Sequence, residues 1–88
     1  MKRPYLEITF RRGKPMAAYL YLPRPAGARS ARTVEARPHV LIDYATSGEP
    51  IGLELTAPVQ TPANVINDVL RELGLDALDP ADLSPLAA

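Results

Sequence analysis

The sequence predicts an α+β domain in which an antiparallel meander of four to five strands is covered on one face by a single C-terminal helix. Three observations predict this fold class. Apolar and polar residues alternate in several short segments before residue 57, which is the period of half-buried strands. From residue 62 the apolar residues recur every three or four positions, as in an amphipathic helix. With 88 residues and no cysteine, we expect residues 1–88 to form a single domain that shares one core without disulfides.

The strands are predicted from this alternation and from the turn residues between them. We expect strands at about 5–10, 16–22, 31–36, 39–44 and 51–56. The segment Arg11 to Pro15 contains a glycine and predicts a hairpin turn that places Phe10 opposite Met16. A second hairpin is expected between the last two strands, with Tyr44 opposite Ile51.

One helix is predicted at about 62–73. Thr61 has the chemistry of an N-cap, Pro62 suits the first helical position, and Gly74 is a C-terminal stop. The apolar face consists of Val65, Ile66, Val69, Leu70 and Leu73. We expect this face to pack on the apolar side of the sheet. In the tail, residues 75–88, the segment Asp79 to Asp82 predicts one further helical turn, followed by fraying or a partner contact.

The charge of the chain is divided between its two halves. The formal net charge is zero, but residues 1–39 sum to +7 and residues 40–88 to −7. Charge pairing within the molecule explains this asymmetry, while head-to-tail self-association or a basic face for an acidic partner are alternatives. No apolar run is long enough to cross a membrane, and the first residues lack the apolar region of a leader. We therefore expect a cytoplasmic protein that does not bind membranes.

Three strand segments resemble a known family. In order, Ala18 to Leu22, Val40 to Tyr44 and Ile51 to Leu55 resemble the strand motifs of the small bacterial family labelled domain of unknown function 2283. The resemblance covers residues 10–57, and its most specific part is a strand with Gly52-x-Glu54 that follows an aspartate-bearing strand. The family label implies no activity. Some relatives are encoded beside toxin-like genes, which would imply an antitoxin-like binder.

The first hairpin gathers three tyrosines. Its expected register places Tyr5 opposite Tyr21 and Glu7 opposite Tyr19, so the three rings share one face of the sheet. The candidate interface residues are Tyr5, Tyr19, Tyr21, Arg11, Arg12 and Arg24. Aromatic residues with arginine are typical of protein interfaces, and stacked aromatics framed by arginine also bind single-stranded nucleic acid. We favour the protein interface, because the acidic second half would repel phosphates.

The single histidine belongs to a second candidate group. With Leu41 opposite Glu54, one face of the second hairpin would carry His39, Asp43 and Glu54, an imidazole and two carboxylates. These groups are the minimum for a metal site or an acid–base pair. We expect a solvated sheet face instead, since ligands on a flat face enclose no ion.

Catalysis and cofactors have little support in the sequence. The chain has no cysteine nucleophile and no glycine-rich phosphate-binding pattern. We therefore expect no enzymatic activity and no cofactor. The sequence favours a protein-binding or self-associating module, most plausibly a homodimer. The alternative is a nucleic-acid-binding or antitoxin-like regulator.

Overall fold

Five antiparallel strands form one sheet, and the C-terminal helices lie on one of its faces. The computed structural model describes residues 3–24 and 27–87. The strands are β1 (Tyr5–Arg11), β2 (Lys14–Tyr21), β3 (Ser30–Arg37), β4 (Val40–Ala45) and β5 (Pro50–Leu55). The helices are α1 (Ala63–Glu72) and α2 (Pro80–Leu83), with 3-10 turns at Pro58–Gln60 and Ser84–Ala87. The predicted α+β class, with its antiparallel sheet and C-terminal helix, is confirmed.

The order of strands across the sheet is β1-β2-β5-β4-β3, with every neighbouring pair antiparallel. The strands β3, β4 and β5 follow one another as a meander, and the β1–β2 hairpin joins that meander at β5. The chain therefore passes from β2 to the far edge of the sheet before it returns, and the predicted meander holds only within β3, β4 and β5. This connection places β5 in the middle, where Ile51, Leu53 and Leu55 are buried.

The first hairpin has a tighter turn than the sequence predicts. Arg12 and Gly13 both have positive φ values, 54° and 76°, as in the two-residue type I′ turn that matches strand twist. Phe10 consequently pairs with Pro15, and the predicted pairing with Met16 is wrong. An irregularity next to Phe10 absorbs the extra residue, after which the predicted register resumes.

The β3–β4 turn removes His39 from the strand in which it was predicted. Arg37 pairs with Val40, so Pro38 and His39 form the two-residue connection, and His39 has a φ of 67°. A proline followed by a residue with positive φ is the arrangement of a type II turn, and histidine tolerates that φ better than branched residues do. In the β4–β5 hairpin, Leu41 pairs with Glu54 as predicted. Tyr44, however, pairs with Pro50 rather than Ile51 because the register shifts there.

The helix α1 ends as predicted but begins differently. Thr61 does not cap it, because its hydroxyl donates a hydrogen bond of 2.9 Å to the Ala57 carbonyl, and no side chain caps the helix. At the other end Gly74 adopts a φ of 76°. The amide of Gly74 donates to the Arg71 carbonyl and that of Leu75 to the Leu70 carbonyl, which is the Schellman motif.

The core lies between the sheet and the helices. The buried cluster consists of Ala18, Leu20, Leu22, Val40, Ile42, Leu53, Leu55, Ile66, Val69, Leu70, Leu83 and Leu86, with Val65 and Leu73 packed at its margin. The predicted apolar face of α1 is therefore confirmed as core.

The tail packs onto this core, so the expectation of fraying after residue 82 is wrong. Leu83 and Leu86 are each only 3% exposed. Asp79 caps α2, as its position predicted, by accepting a hydrogen bond from the Ala81 amide. The buried Asn67 side chain bonds both to the Leu78 carbonyl, at 2.9 Å, and to the Leu78 amide, at 2.8 Å. This pair of bonds fixes the tail to α1.

Candidate interaction face

The outer face of the sheet, opposite the helices, carries side chains from all five strands. One row across it consists of Tyr5, Tyr21, Gly52, Asp43 and Thr33, and the adjacent row consists of Glu7, Tyr19, Glu54, Leu41 and Glu35. We call this surface the tyrosine face. The three glutamates are exposed, and the helices of the described residues pack on the opposite side. Within the described residues, this face is therefore open to solvent.

Tyr19 reaches across the middle strand. It lies on β2 opposite Glu54, yet its hydroxyl donates a hydrogen bond of 2.7 Å to Asp43 Oδ2 on β4. The ring takes this path over Gly52, where a Cβ atom would overlap the ring and hydroxyl of Tyr19. Gly52 is thus required for the close approach of a side chain.

Asp43 connects this ring to the edge of the sheet. Its Oδ1 atom accepts a hydrogen bond of 2.5 Å from the Thr33 hydroxyl on β3. Both oxygens of the carboxylate are therefore bonded by side chains from other strands, and the chain of contacts ties β2, β4 and β3 together. Hydrogen bonds to a carboxylate are the stronger kind.

The other two tyrosines stack at the β1–β2 side. The rings of Tyr5 and Tyr21 are nearly parallel, with centroids 4.4 Å apart and an interplanar angle of 8°. Tyr19 is tilted by 56° against Tyr21, with centroids 4.7 Å apart. The guanidinium of Arg24 lies 5.1 Å from the Tyr21 ring centroid, and the Tyr21 hydroxyl donates to Glu7 Oε1 at 3.3 Å. Tyr5 nevertheless stays 50% exposed.

The electrostatics of the face keep these phenols protonated. Burial, followed by the hydrogen bond to Asp43 and the negative charge of Asp43, raises the pKa of Tyr19 well above its ordinary value. Loss of hydration, followed by the charge of Glu7, also raises the pKa of Tyr21. Both hydroxyls therefore act as hydrogen-bond donors at neutral pH.

The predicted arginines divide into two groups. Arg24 joins the tyrosine face, where it contacts Tyr21 and donates to the Ile51 carbonyl at 3.5 Å. Arg11 and Arg12 are exposed at the tip of the first hairpin. Arg11 is four residues along β1 from Glu7, which is about 13 Å at the rise of a strand. Arg11 and Arg12 therefore lie at the end of the tyrosine face, away from the tyrosine rings.

The centre of the face is acidic. Four carboxylates, those of Glu7, Glu35, Asp43 and Glu54, lie on it, and Arg24 lies at its rim. Phosphates would meet negative charge at the tyrosine rings, which disfavours a nucleic-acid surface.

The second candidate group does not come together. His39 Nδ1 lies 3.3 Å from the Thr56 hydroxyl in the β3–β4 turn region, whereas Asp43 is bonded to Tyr19 and Thr33. Within residues 3–24 and 27–87, no three acid or histidine side chains are grouped closely enough to hold a metal. His39, Asp43 and Glu54 therefore do not form a ligand set.

The sequence reading missed two members of the network. The sequence places Thr33 in a strand but indicates no contact for it. The partner of Thr33 on β4 depends on the turn at Pro38 and His39, and the predicted strand 39–44 included His39. A glycine inside a strand indicates a bulge or the close approach of a ligand or another backbone, but at Gly52 the approaching group is the Tyr19 ring. A glycine inside an otherwise apolar strand, near a tyrosine-rich strand, is the signal that could have shown it.

Comparisons of this chain with protein-family models, with curated proteins and with solved structures give no significant match. The resemblance to the domain of unknown function 2283 family stays a prediction. Within the described residues, the helices are too short to cross a membrane.

Proposed function

We propose that this chain is a cytoplasmic, non-catalytic binding module that associates with a second copy of itself. The observation that carries the proposal is the tyrosine face, an open sheet surface whose three tyrosine rings are held in place by contacts within the chain. Half of Tyr5 is exposed although its ring is stacked. Tyrosine and arginine in a surface patch are the residues that dominate binding energy at protein interfaces.

The preorganisation of the face supports a role in binding. Tyr19 is fixed by Asp43, and Tyr21 is fixed between Tyr5, Glu7 and Arg24. Side chains that are already immobile lose little conformational entropy on association, so more of the contact energy is available for affinity. The bonds of Asp43 to two hydroxyls favour a structural role for this carboxylate over proton transfer.

The similarity to the domain of unknown function 2283 family belongs to the same proposal. Gly52 and Asp43, which belong to its most specific part, both contact Tyr19: the ring lies over Gly52, and the hydroxyl donates to Asp43. A network that joins three strands gives a physical reason for such a pattern. The antitoxin-like role that the resemblance implies would make the partner a protein.

The first test is the solution mass of the protein by light scattering and sedimentation, over a wide concentration range and at two salt concentrations. We expect a dimer that dissociates on dilution. Tyr5→Ala should weaken it, because this residue is exposed on the proposed surface. Val59→Ala is the matched control, since Val59 is 59% exposed but lies on the first 3-10 turn.

Nucleic-acid binding is the second candidate, favoured only by the stacking of Arg24 on Tyr21. It predicts that a single-stranded oligonucleotide binds with an affinity that falls steeply with salt. A monomer at every concentration that binds the oligonucleotide would replace self-association with this second function. A protein that stays monomeric and does not bind the oligonucleotide would contradict both proposed functions.

A further inference from the structure

The sheet has two outer edges, and β1 forms one of them. Among the described residues β1 pairs only with β2, so its other side offers backbone groups to a further strand. The seven residues of β1 contain neither proline nor lysine. Three large apolar or aromatic residues of the first hairpin are exposed, namely Tyr5, Phe10 and Met16. An edge with these features is favourable for pairing with a strand of another chain.

The edge at β3 has the features that discourage pairing. It carries Arg32 and Arg37, and its register with β4 shifts near both ends, between Ser30 and Arg32 and between Glu35 and Arg37. Charged side chains and irregular pairing are the devices by which natural sheets blunt an edge. The strand β1 has fewer of these features, namely one arginine, Arg11, and one register shift, between Thr9 and Phe10, so the comparison favours β1 as the site of association.

We propose that the second copy is added antiparallel to β1 about a two-fold axis at Ile8. This inference rests on the proposed self-association and specifies its surface and register. A two-fold axis perpendicular to the sheet brings residues of the same face opposite each other. With Ile8 at the axis, Tyr5 of one copy lies opposite Arg11 of the other, so that all seven residues of both strands are paired.

The pairs on the helix side of the sheet are apolar. Ile8 of one copy faces Ile8 of the other, and Leu6 faces Phe10. Leu6 and Ile8 are half-buried at the margin of the core, and Phe10 is 53% exposed in the single chain. The proposed register therefore covers the exposed ring of Phe10 with an apolar partner from the other copy.

The pairs on the tyrosine face are complementary as well. Thr9 of one copy lies beside Glu7 of the other, so a hydroxyl faces a carboxylate. Arg11 lies beside Tyr5, whose ring is stacked on Tyr21 on one side and open towards the β1 edge on the other. Arginine already lies over tyrosine at two places in this chain, at 5.1 Å and 4.6 Å from the ring centroids.

The neighbouring registers are less favourable. A shift in one direction sets Glu7 opposite Glu7 of the other copy, which places like charges side by side. The opposite shift sets Thr9 opposite Thr9, which places Glu7 beside Arg11 but leaves Tyr5 and Leu6 without partners. The register at Ile8 uses the whole strand and avoids like charges, and it joins two five-stranded sheets into one with both tyrosine faces on the same side.

A disulfide experiment reads the register directly, because the chain has no cysteine of its own. Two single variants, Glu7→Cys and Thr9→Cys, are prepared separately, checked for folding by circular dichroism and mixed in a glutathione redox buffer. Opposed residues of antiparallel strands have Cα atoms about 4.5–5.5 Å apart, which is within the range of a disulfide. Intact mass spectrometry distinguishes the mixed disulfide from the two symmetric ones.

The control uses the other edge with the same residue types and spacing. Thr33→Cys and Glu35→Cys lie on β3, exposed on the tyrosine face, and are mixed in the same way. We expect the mixed disulfide of Glu7→Cys and Thr9→Cys to exceed its share in a random mixture, and the β3 pair to give no such excess.

The outcomes separate this inference from the proposed function. A dimer by light scattering without the mixed β1 disulfide would keep self-association and overturn the β1 register. An excess of the symmetric disulfide of Glu7→Cys or of Thr9→Cys over its share in a random mixture would indicate one of the shifted registers instead. An excess of the mixed β3 disulfide would move the interface to the other edge. A monomer at every concentration would contradict the proposed function itself.

Discussion

The two edges of the sheet are held in the structure by different chemistry. At the β3 edge, the Thr33 hydroxyl is bonded to Asp43, which is bonded to Tyr19, so this side chain of the edge strand is held by its own sheet. At the β1 edge, Tyr5 rests on Tyr21 through a stacked contact that uses one side of the ring only. The two edges therefore differ in their side chains: Thr33 already has a bonded partner, whereas half of Tyr5 is exposed.

The contrast depends on one position in the middle strand. Gly52 leaves space for Tyr19 to cross β5, so the hydrogen bonds of the β3 side and the aromatic contacts of the β1 side meet in one ring. A substitution at Gly52 should break this link, and matched substitutions on β1 and β3 compare the two edges.

Gly52→Ala should have the largest effect on stability. The added methyl group would overlap Tyr19, so the ring has to leave and Asp43 loses a bonded partner. We expect a loss of about 2–3 kcal/mol in the free energy of unfolding, measured by urea denaturation. In a Tyr19→Ala background the same substitution should cost much less, because the two residues act as a pair. Equal costs in both backgrounds would contradict the packing explanation.

Phe10→Lys should weaken the dimer while Val34→Lys should not. Both side chains are partly exposed, Phe10 on β1 at 53% and Val34 on β3 at 40%. If half of the Phe10 side chain in each copy is no longer buried in the proposed dimer, the free energy of association weakens by about 2 kcal/mol. This raises the Kd for dimerisation ~30-fold, as measured by sedimentation. A larger effect of Val34→Lys would transfer the interface to β3.

The sequence was sufficient for the fold class and its elements but not for the strand order or the geometry of the face. Alternation and helical spacing are local signals, and they predicted all five strands, α1 and the opposition of Tyr5 to Tyr21. The errors arose where a single residue changes the register. The tight turn at Arg12 and Gly13 required a compensating irregularity near Phe10, and neither can be read from alternation alone.

The tail and the network were beyond local reasoning for another physical reason. Leu83 and Leu86 are buried because Asn67 fixes Leu78, a contact between residues eleven positions apart. The bond from Tyr19 to Asp43 skips a strand, so it depends on the strand order, which places β5 between β2 and β4. A simple meander would have put β3 in that position.

Thr33→Val should have a moderate effect confined to the β3 edge. The substitution keeps the shape and branching of the side chain and removes the hydroxyl that donates to Asp43. The site is exposed, so water replaces part of the bond, and we expect a loss of about 1 kcal/mol. Thr9→Val is the matched control on β1, where the threonine hydroxyl bonds to none of the other described residues. Both variants are measured by urea denaturation at a concentration that keeps the protein monomeric. Thr9→Val should change the free energy of unfolding by less than about half of the change that Thr33→Val causes.

The smallest effect concerns alkaline pH and Tyr19. Because the pKa of Tyr19 is raised in the folded state above the ordinary value of 10.0, the unfolded chain loses this proton first as the pH rises. The contribution of Tyr19 is therefore complete below pH 10 and is lost as the pH rises towards the folded-state pKa. Other tyrosines, lysines and arginines titrate in the same range, so the comparison is with Tyr19→Phe, which lacks the proton. Urea denaturation at a series of pH values above 9 should show a shallower decline for Tyr19→Phe than for the parent protein. Parallel declines would contradict a raised pKa of Tyr19 in the folded state.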